Sequence, residues 1–406
     1  MEITMKKLAL SSLAVAVGMV SLAAQARVAL DPQGIDLEPF LFVPTLDVGM
    51  RHDSNIYSLP SGQEVDSVVV NVAPRLRLVA QDRDNHYFVE YGLAAGLYSE
   101  DSNDNFIDHT LDVGAHFEPT SRFRFDVSGG YAILHDDRGT GFSEGKGLPF
   151  ILAMSEPDQY TRTALGGELE YGAEEAIGQI RFGLGLAQKR YDLDDRAEAR
   201  DIDTLNTNLG LSMRLMPKTK MLFDIEREQG RYESSATAAI SDYTDTRLLV
   251  GLSWEATGKT TGKVRLGNSD RELESGRDLS RFTWTAGVIW APREHSRFTF
   301  DGGQRTNEGT LPTVAVENTN YTFGWVHDWS ERLESRISYG MSTDDHERTD
   351  NVKREDDLTT ISANLSYQMR RWLVMGAGVS MRSRDSTAAG FEFDRDVFSL
   401  TALISL

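Results

Sequence analysis

Three residue types in this 406-residue chain carry usable chemistry: its 8 histidines, its 62 acids and its 42 lysines and arginines. A histidine beside a carboxylate is the nucleus of an acid–base dyad or a metal site. Two stretches, His135-Asp136-Asp137 and Asp344-Asp345-His346, set a pair of aspartates beside a histidine. Both stretches read as loops, where Asp and His are ordinarily just solvated. No His-Glu-x-x-His or phosphate-loop pattern accompanies them. The acid-rich stretch Asp192 to Asp203 lacks the spacing of an EF-hand. The chain has no cysteine, which removes disulfides and thiolate chemistry. No catalytic residue, cofactor or metal is therefore expected.

The arginines and the remaining acids are distributed quite differently, because they alternate with apolar residues. Arg75, Arg77, Arg124, Arg162, Arg181, Arg214, Arg247, Arg265, Arg297, Arg336 and Arg382 all sit on the polar parity, with Glu90, Asp112, Asp126, Glu168 and Asp224. Guanidinium groups bind carboxylates bidentately, so such a wall suits an anionic polymer. The same residues serve equally well as cross-strand pairs that hold a shape. Unpaired charges in a dry core cost several kcal/mol each, so either way this parity faces water or is heavily ion-paired.

The elements that place them are strands. From Phe40 to the end, every-other-residue hydrophobicity recurs in about eighteen stretches. Phe40, Phe42, Leu46, Val48 and Met50 oppose Thr45, Asp47, Gly49 and Arg51; Ile361, Ala363, Leu365, Tyr367 and Met369 repeat the pattern late in the chain. Strand side chains point alternately to opposite faces, so one face is apolar and one polar. Eight short turns alternate with nine longer polar loops. This predicts an all-β fold, a transmembrane antiparallel up-and-down barrel with apolar residues toward lipid, a wet interior and both termini periplasmic. Outside the N-terminus no apolar run reaches the length of about twenty residues that a helical span requires.

The N-terminus reads as an export signal over residues 1–26: Lys6-Lys7, the apolar stretch Leu8 to Leu22, and Ala24-Gln25-Ala26 as the cleavage site. Residues 27–39 read as a periplasmic lead-in and 40–406 as the barrel, destined for the outer membrane of a Gram-negative bacterium. A formal charge of −20 argues against nucleic acid as a partner. It fits loops lying among outer-membrane lipid and lipopolysaccharide. Phe398, Leu400, Ala402, Ile404 and Leu406 share one parity and look like the closing strand read by the barrel assembly machinery. The longest loop, His135 to Asp158, contains Phe142, Leu148 and Phe150. It either folds into the mouth as a gate or packs outward on its neighbours.

At His52-Asp53-Ser54-Asn55-Ile56-Tyr57 the sequence resembles a family of outer-membrane β-barrel porins found with exopolysaccharide and capsule biosynthesis genes, whose members carry Asp-x-Asn-Ile at this point. Val72-Ala73-Pro74-Arg75-Leu76, Tyr98-Ser99-Glu100-Asp101-Ser102 and Asp108-His109 are similar to that family as well. The resemblance implies an export channel for a secreted polysaccharide, working with periplasmic and inner-membrane export components. Asp53 and Asn55 also have a local reading, as side chains that bond nearby backbone amides at the strand exit. A general diffusion porin, a loop-plugged structural or adhesive barrel, and a membrane enzyme using His135 or His346 are the competing readings.

Overall fold

The computed structural model describes residues 34–193, 200–233, 241–274, 276, 278–309, 312–350 and 352–405. The expected signal segment, and the lead-in up to residue 33, lie outside the described residues. A short strand, β1 (Ile35–Leu37), is followed by β2 (Phe40–Asp53), β3 (Ser67–Asp82), β4 (Asn85–Tyr98), β5 (Phe106–Thr120) and β6 (Phe123–Asp136). The chain continues through β7 (Asp158–Tyr171), β8 (Gly178–Tyr191), β9 (Ile202–Met216), β10 (Thr219–Tyr232), β11 (Tyr243–Thr257), β12 (Thr260–Leu273) and β13 (Asp278–Arg293). It ends with β14 (Ser296–Glu308), β15 (Thr313–Ser330), β16 (Leu333–Arg348), β17 (Arg354–Arg370), β18 (Leu373–Ser386) and β19 (Phe393–Ser405).

Each of these strands pairs antiparallel with the next, and β19 returns to β2 from Val397↔Asp53 to Ser405↔Thr45. The result is a closed barrel of eighteen strands, β2 to β19. Closure satisfies the backbone groups that an open sheet would leave unpaired at its edges. Beyond the end of β19, β1 takes over the edge of β2, with Ile35 opposite Phe42. The lead-in thus contributes a strand where none is expected from its Pro and Gly content.

The apolar parity lies on the outside. Met50 is 51%, Val250 52% and Leu400 58% exposed, far too open for core residues of a soluble protein. The buried apolar clusters gather instead around the long loops, as with Ile56, Tyr57, Leu59 and Ile151. Trp254, Trp290, Trp329 and Trp372 lie toward the short-turn end, where an indole suits an interface. Trp284 departs from that pattern, standing mid-strand in β13.

One group of expectations is corrected. Asp344, Asp345 and His346 belong to β16, paired with Asp356, Glu355 and Arg354. His135 and Asp136 likewise complete β6. The hydrogen-bonded ladder continues past the apolar band, where both faces turn polar and alternation fades from the sequence. The long-end connections are therefore short from β12 to β17, and among the described residues the segments 54–66 and 137–157 pack together at the mouth.

Candidate functional site

The inward parity encloses a cavity of about 1850 Å³ whose wall has two unlike arcs. Across β8 to β12 it presents Arg181, Glu226, Arg247, Lys263 and Arg265. Across β15 to β19 and onto β2 the mid-height residues include Asn320, Thr322, Ser338, Gly340, Thr360, Ser362, Asn364, Ser380, Ser399, Thr401 and Gly49. Alternation explains the projection of each side chain. The up-and-down order joins these residues into one surface rich in hydroxyls, amides and glycines, interrupted by Arg382 opposite Thr360, Arg51 opposite Ser399 and Arg336 opposite Asn364.

Most of the expected lumenal arginines are paired. Arg181 holds Asp224 at 3.1 Å and Glu168 at 3.8 Å; Arg247 and Arg265 share Glu226 at 3.4 and 2.9 Å. Toward the short-turn end Arg77 meets Glu90 at 3.5 Å, and Arg124 pairs with Glu170. There Arg214 reaches Glu175 at 2.8 Å, and Asp126 is bonded to His116 at 2.8 Å. Arg297 and Arg336 converge on Glu334 at 3.7 and 3.4 Å. Asp112 stands inward opposite Glu90. Arg75, Arg162 and Arg382 line the cavity with no carboxylate within 4 Å among the described residues. The wall therefore combines a braced frame with a few cations left to solvent.

At the long-loop mouth the described residues form a folded lid. Arg138 is 1% exposed and makes the lid's central knot. Its guanidinium donates to Asp104 at 2.6 Å, to Asp101 at 2.5 Å, to the Tyr57 hydroxyl at 2.9 Å and to the Met154 carbonyl at 3.0 Å. Tyr57 in turn donates to Asp104 at 2.7 Å. The hydrogen bond from Arg138 holds the Asp101 carboxyl below its ordinary range, while burial and the contact with Asp104 push the Tyr57 phenol up. Around this knot Ile56, Tyr57 and Leu59 pack on Ile151, with Leu148 and Val65 beside them. Gly139 is required: its φ is +88°, and a Cβ there would lie 2.2 Å from the Tyr57 carbonyl oxygen.

Asp53, Asn55 and Ile56 build this lid. Asn55 donates from Nδ2 to the Leu59 carbonyl at 2.8 Å and the Asp394 carbonyl at 2.9 Å, and accepts from the Leu59 amide at 2.9 Å. Asp53 accepts from the Asn55 amide at 3.2 Å and from Arg395 at 2.9 and 2.6 Å. The local reading of these two residues matches the geometry, extended by the Arg395 contact across the closing seam.

The long loop does fold over the mouth, but not through its aromatic residues. Gly139, Thr140 and Glu144 face the cavity, whereas Phe142 and Phe150 clasp Lys146 at 3.1 and 4.6 Å on a separate surface, and Leu148 packs into the lid core. Sequence reading also passes over Gly141-Phe142-Ser143-Glu144-Gly145, which has the Gly-x-Ser-x-Gly spacing of a nucleophile elbow. The structural context is wrong for one. Ser143 lies in a single 3-10 turn, 1% exposed, accepting from the Gly139 amide at 2.8 Å and donating to the Thr140 carbonyl at 2.9 Å. His135 is held by Asp108 at 2.8 Å and Asp137 at 3.1 Å and stacks on Phe106. His346 faces Asp356 at 3.3 Å. Both histidines are thus held by carboxylates of the wall around them. Among the described residues no group of three or more His, Asp or Glu side chains is arranged to hold a metal.

The family model described as "Putative beta-barrel porin 2" matches residues 28–405. The chain belongs to this family. Comparison with curated proteins finds no match. Among solved structures, the FrpB iron transporter of Neisseria meningitidis (F3-3 variant) superposes with a TM-score of 0.50 at 13% identity, over 84% of this chain and 62% of FrpB. The porin 2 chain thus spans less than two thirds of that protein. A mutant of the ferric enterobactin receptor PfeA of Pseudomonas aeruginosa, in complex with enterobactin, gives a TM-score of 0.50 at 8% identity, covering 90% and 81% of the two chains. At such identities the likeness is one of fold: this porin 2 member has the barrel of outer-membrane transporters and receptors, a channel-like architecture.

Proposed function

We propose that this porin 2 barrel spans the outer membrane of a Gram-negative bacterium and serves as the conduit through which a secreted exopolysaccharide leaves the cell. The short turns face the periplasm, where inner-membrane and periplasmic export components deliver the polymer, and its synthesis sets the direction of travel. The observation that carries the reading is the two-faced lumen. A wall rich in hydroxyls, amides and glycines exchanges hydrogen bonds freely with sugar hydroxyls, and among the described residues the aromatic side chains lining the cavity, Tyr98, Phe106, Tyr160 and Phe393, stand at the long-loop ends of their strands rather than at mid-height. Many weak, interchangeable contacts are what passage requires, because a tight site would trap the polymer. The glycines at 49 and 340 leave room for a ring to pass, and the ion-paired arc opposite keeps the tunnel hydrated. The family resemblance at Asp53-Ser54-Asn55-Ile56 supports the polysaccharide as cargo.

Deletion of the gene tests this directly: extracellular polymer should disappear while the mutant lipid surface remains intact. Complementation with Arg75→Ala, Arg162→Ala and Arg382→Ala together should restore the barrel with secretion altered several-fold. Normal secretion in the deletion strain ends the export reading and favours a general diffusion porin.

A further inference from the structure

Beside the lid, five arginines converge from four adjacent strands: Arg354 on β17, Arg382 and Arg384 on β18, Arg395 on β19 and Arg51 on β2. Three carboxylates answer them by direct ion pairing, and they are not equivalent. Asp356 grips Arg354 at 2.5 Å and Asp53 grips Arg395 at 2.6 Å; their side chains are 2% and 0% exposed, sealed within the wall. Asp137, bonded to His135, also lies at the cavity wall. The remaining partner, Glu144, comes from the opposite side of the mouth, 240 residues away in sequence, and accepts from Arg384 at 2.5 Å and from Arg354 at 3.5 Å. Its side chain is 28% exposed and it lines the cavity.

Glu144 sits on the lid segment that reaches across to the β17–β18 wall. Beyond the sealed knot around Arg138 and Ile151, the stretch from Gly141 to Gly147 turns toward that wall through glycines with φ of +53°, +71° and +78°. Phe391 lies under Gly145, and Arg354 stacks on the same ring at 3.5 Å, so the docking seat is shaped by the wall. Arg384, which lines the cavity and stacks on Phe393 at 4.6 Å, with the buried Arg354 behind it on Phe391, presents a guanidinium face suited to a carboxylate or phosphate.

We infer that Arg354 and Arg384 form an anion-binding site at the mouth whose intramolecular occupant is Glu144, and that an anionic group on a glycan rising through the lumen displaces it and frees the lid segment. Lipid headgroups are excluded because the site faces the cavity. The ligand class is an acidic polysaccharide, bearing uronate carboxylates or phosphate substituents. The inference deepens the export reading and rests on it only for the source of the glycan; the site itself is testable without secretion.

The test is single-channel recording of the purified full-length protein in planar bilayers, with oligogalacturonate, inorganic phosphate and uncharged dextran added in turn to the short-turn side. Oligogalacturonate should raise the wild-type open fraction about fivefold, the scale of a partly exposed ion pair. Dextran should leave it unchanged, and phosphate should act only at higher concentration, which separates a polymer-borne anion from a free one. Glu144→Gln should start open and respond no further, and Arg384→Gln should behave the same way. Heat-modifiable gel migration establishes that each variant is a folded barrel. Equal responses to oligogalacturonate and dextran, no wild-type response, or a Glu144→Gln channel that still responds would overturn the site. Normal polymer secretion by the deletion strain would instead remove only the export reading.

Discussion

Arg138 shows how one side chain can organise a whole end of the molecule. It neutralises Asp101 and Asp104, satisfies two backbone carbonyls and fixes Tyr57, so its removal strands two carboxylates and a phenol in a buried site. Arg138→Ala should cost the lid about 3 to 5 kcal/mol, the usual penalty for breaking a buried pair, while the strands below are untouched. Limited proteolysis of intact cells checks this: cleavage between residues 139 and 157 should appear in the variant, with the barrel still resisting heat denaturation. Legibility differs sharply between neighbouring residues here. Asp53 and Asn55 were readable as backbone-bonding residues because short polar side chains at a strand exit act locally. Arg138 carried a faint signal, a single cation after His135-Asp136-Asp137. The contact between Glu144 and Arg384 carried none, because only closure of the barrel brings them together.

At the scale of the element, a strand here is a two-sided object with lipid on one face and water on the other, and β17 illustrates both. Ile361 is 46% exposed on the apolar outside, while the adjacent Ser362 lines the cavity. Ile361→Arg should destabilise the assembled barrel by about 2 to 4 kcal/mol, and Ser362→Arg should be nearly neutral for assembly. The midpoint of denaturant unfolding in lipid vesicles separates them; equal destabilisation would contradict the assigned faces. This alternation made the strands the most legible feature of the sequence, and β2 begins at Phe40, where the alternation begins. It failed where β16 and β17 rise past the apolar band. Asp344 to His346 are polar on both faces, and only their ladder to Arg354 to Asp356 shows that they are strand.

For the whole molecule, the meander order converts local alternation into a tunnel with an arc rich in hydroxyls and amides, a braced ionic arc and a lid over the long-loop end. The two arcs were written in the sequence one residue at a time, as the Ser, Thr, Asn and Gly of the late strands and the Arg, Asp and Glu of the middle ones. Which cations are braced and which are free was not, since Arg181 and Arg162 look alike until Asp224 is placed beside one of them. The account depends on this tunnel being the polymer's route. Its most direct test uses the absence of native cysteine: introduce Ser362→Cys, treat secreting cells with a sulfonated thiol reagent small enough to pass the mouth, and measure polymer released afterwards. The account predicts that the cysteine is modified and that secretion drops, whereas treated wild-type cells are unaffected; complete modification with undiminished secretion would contradict it.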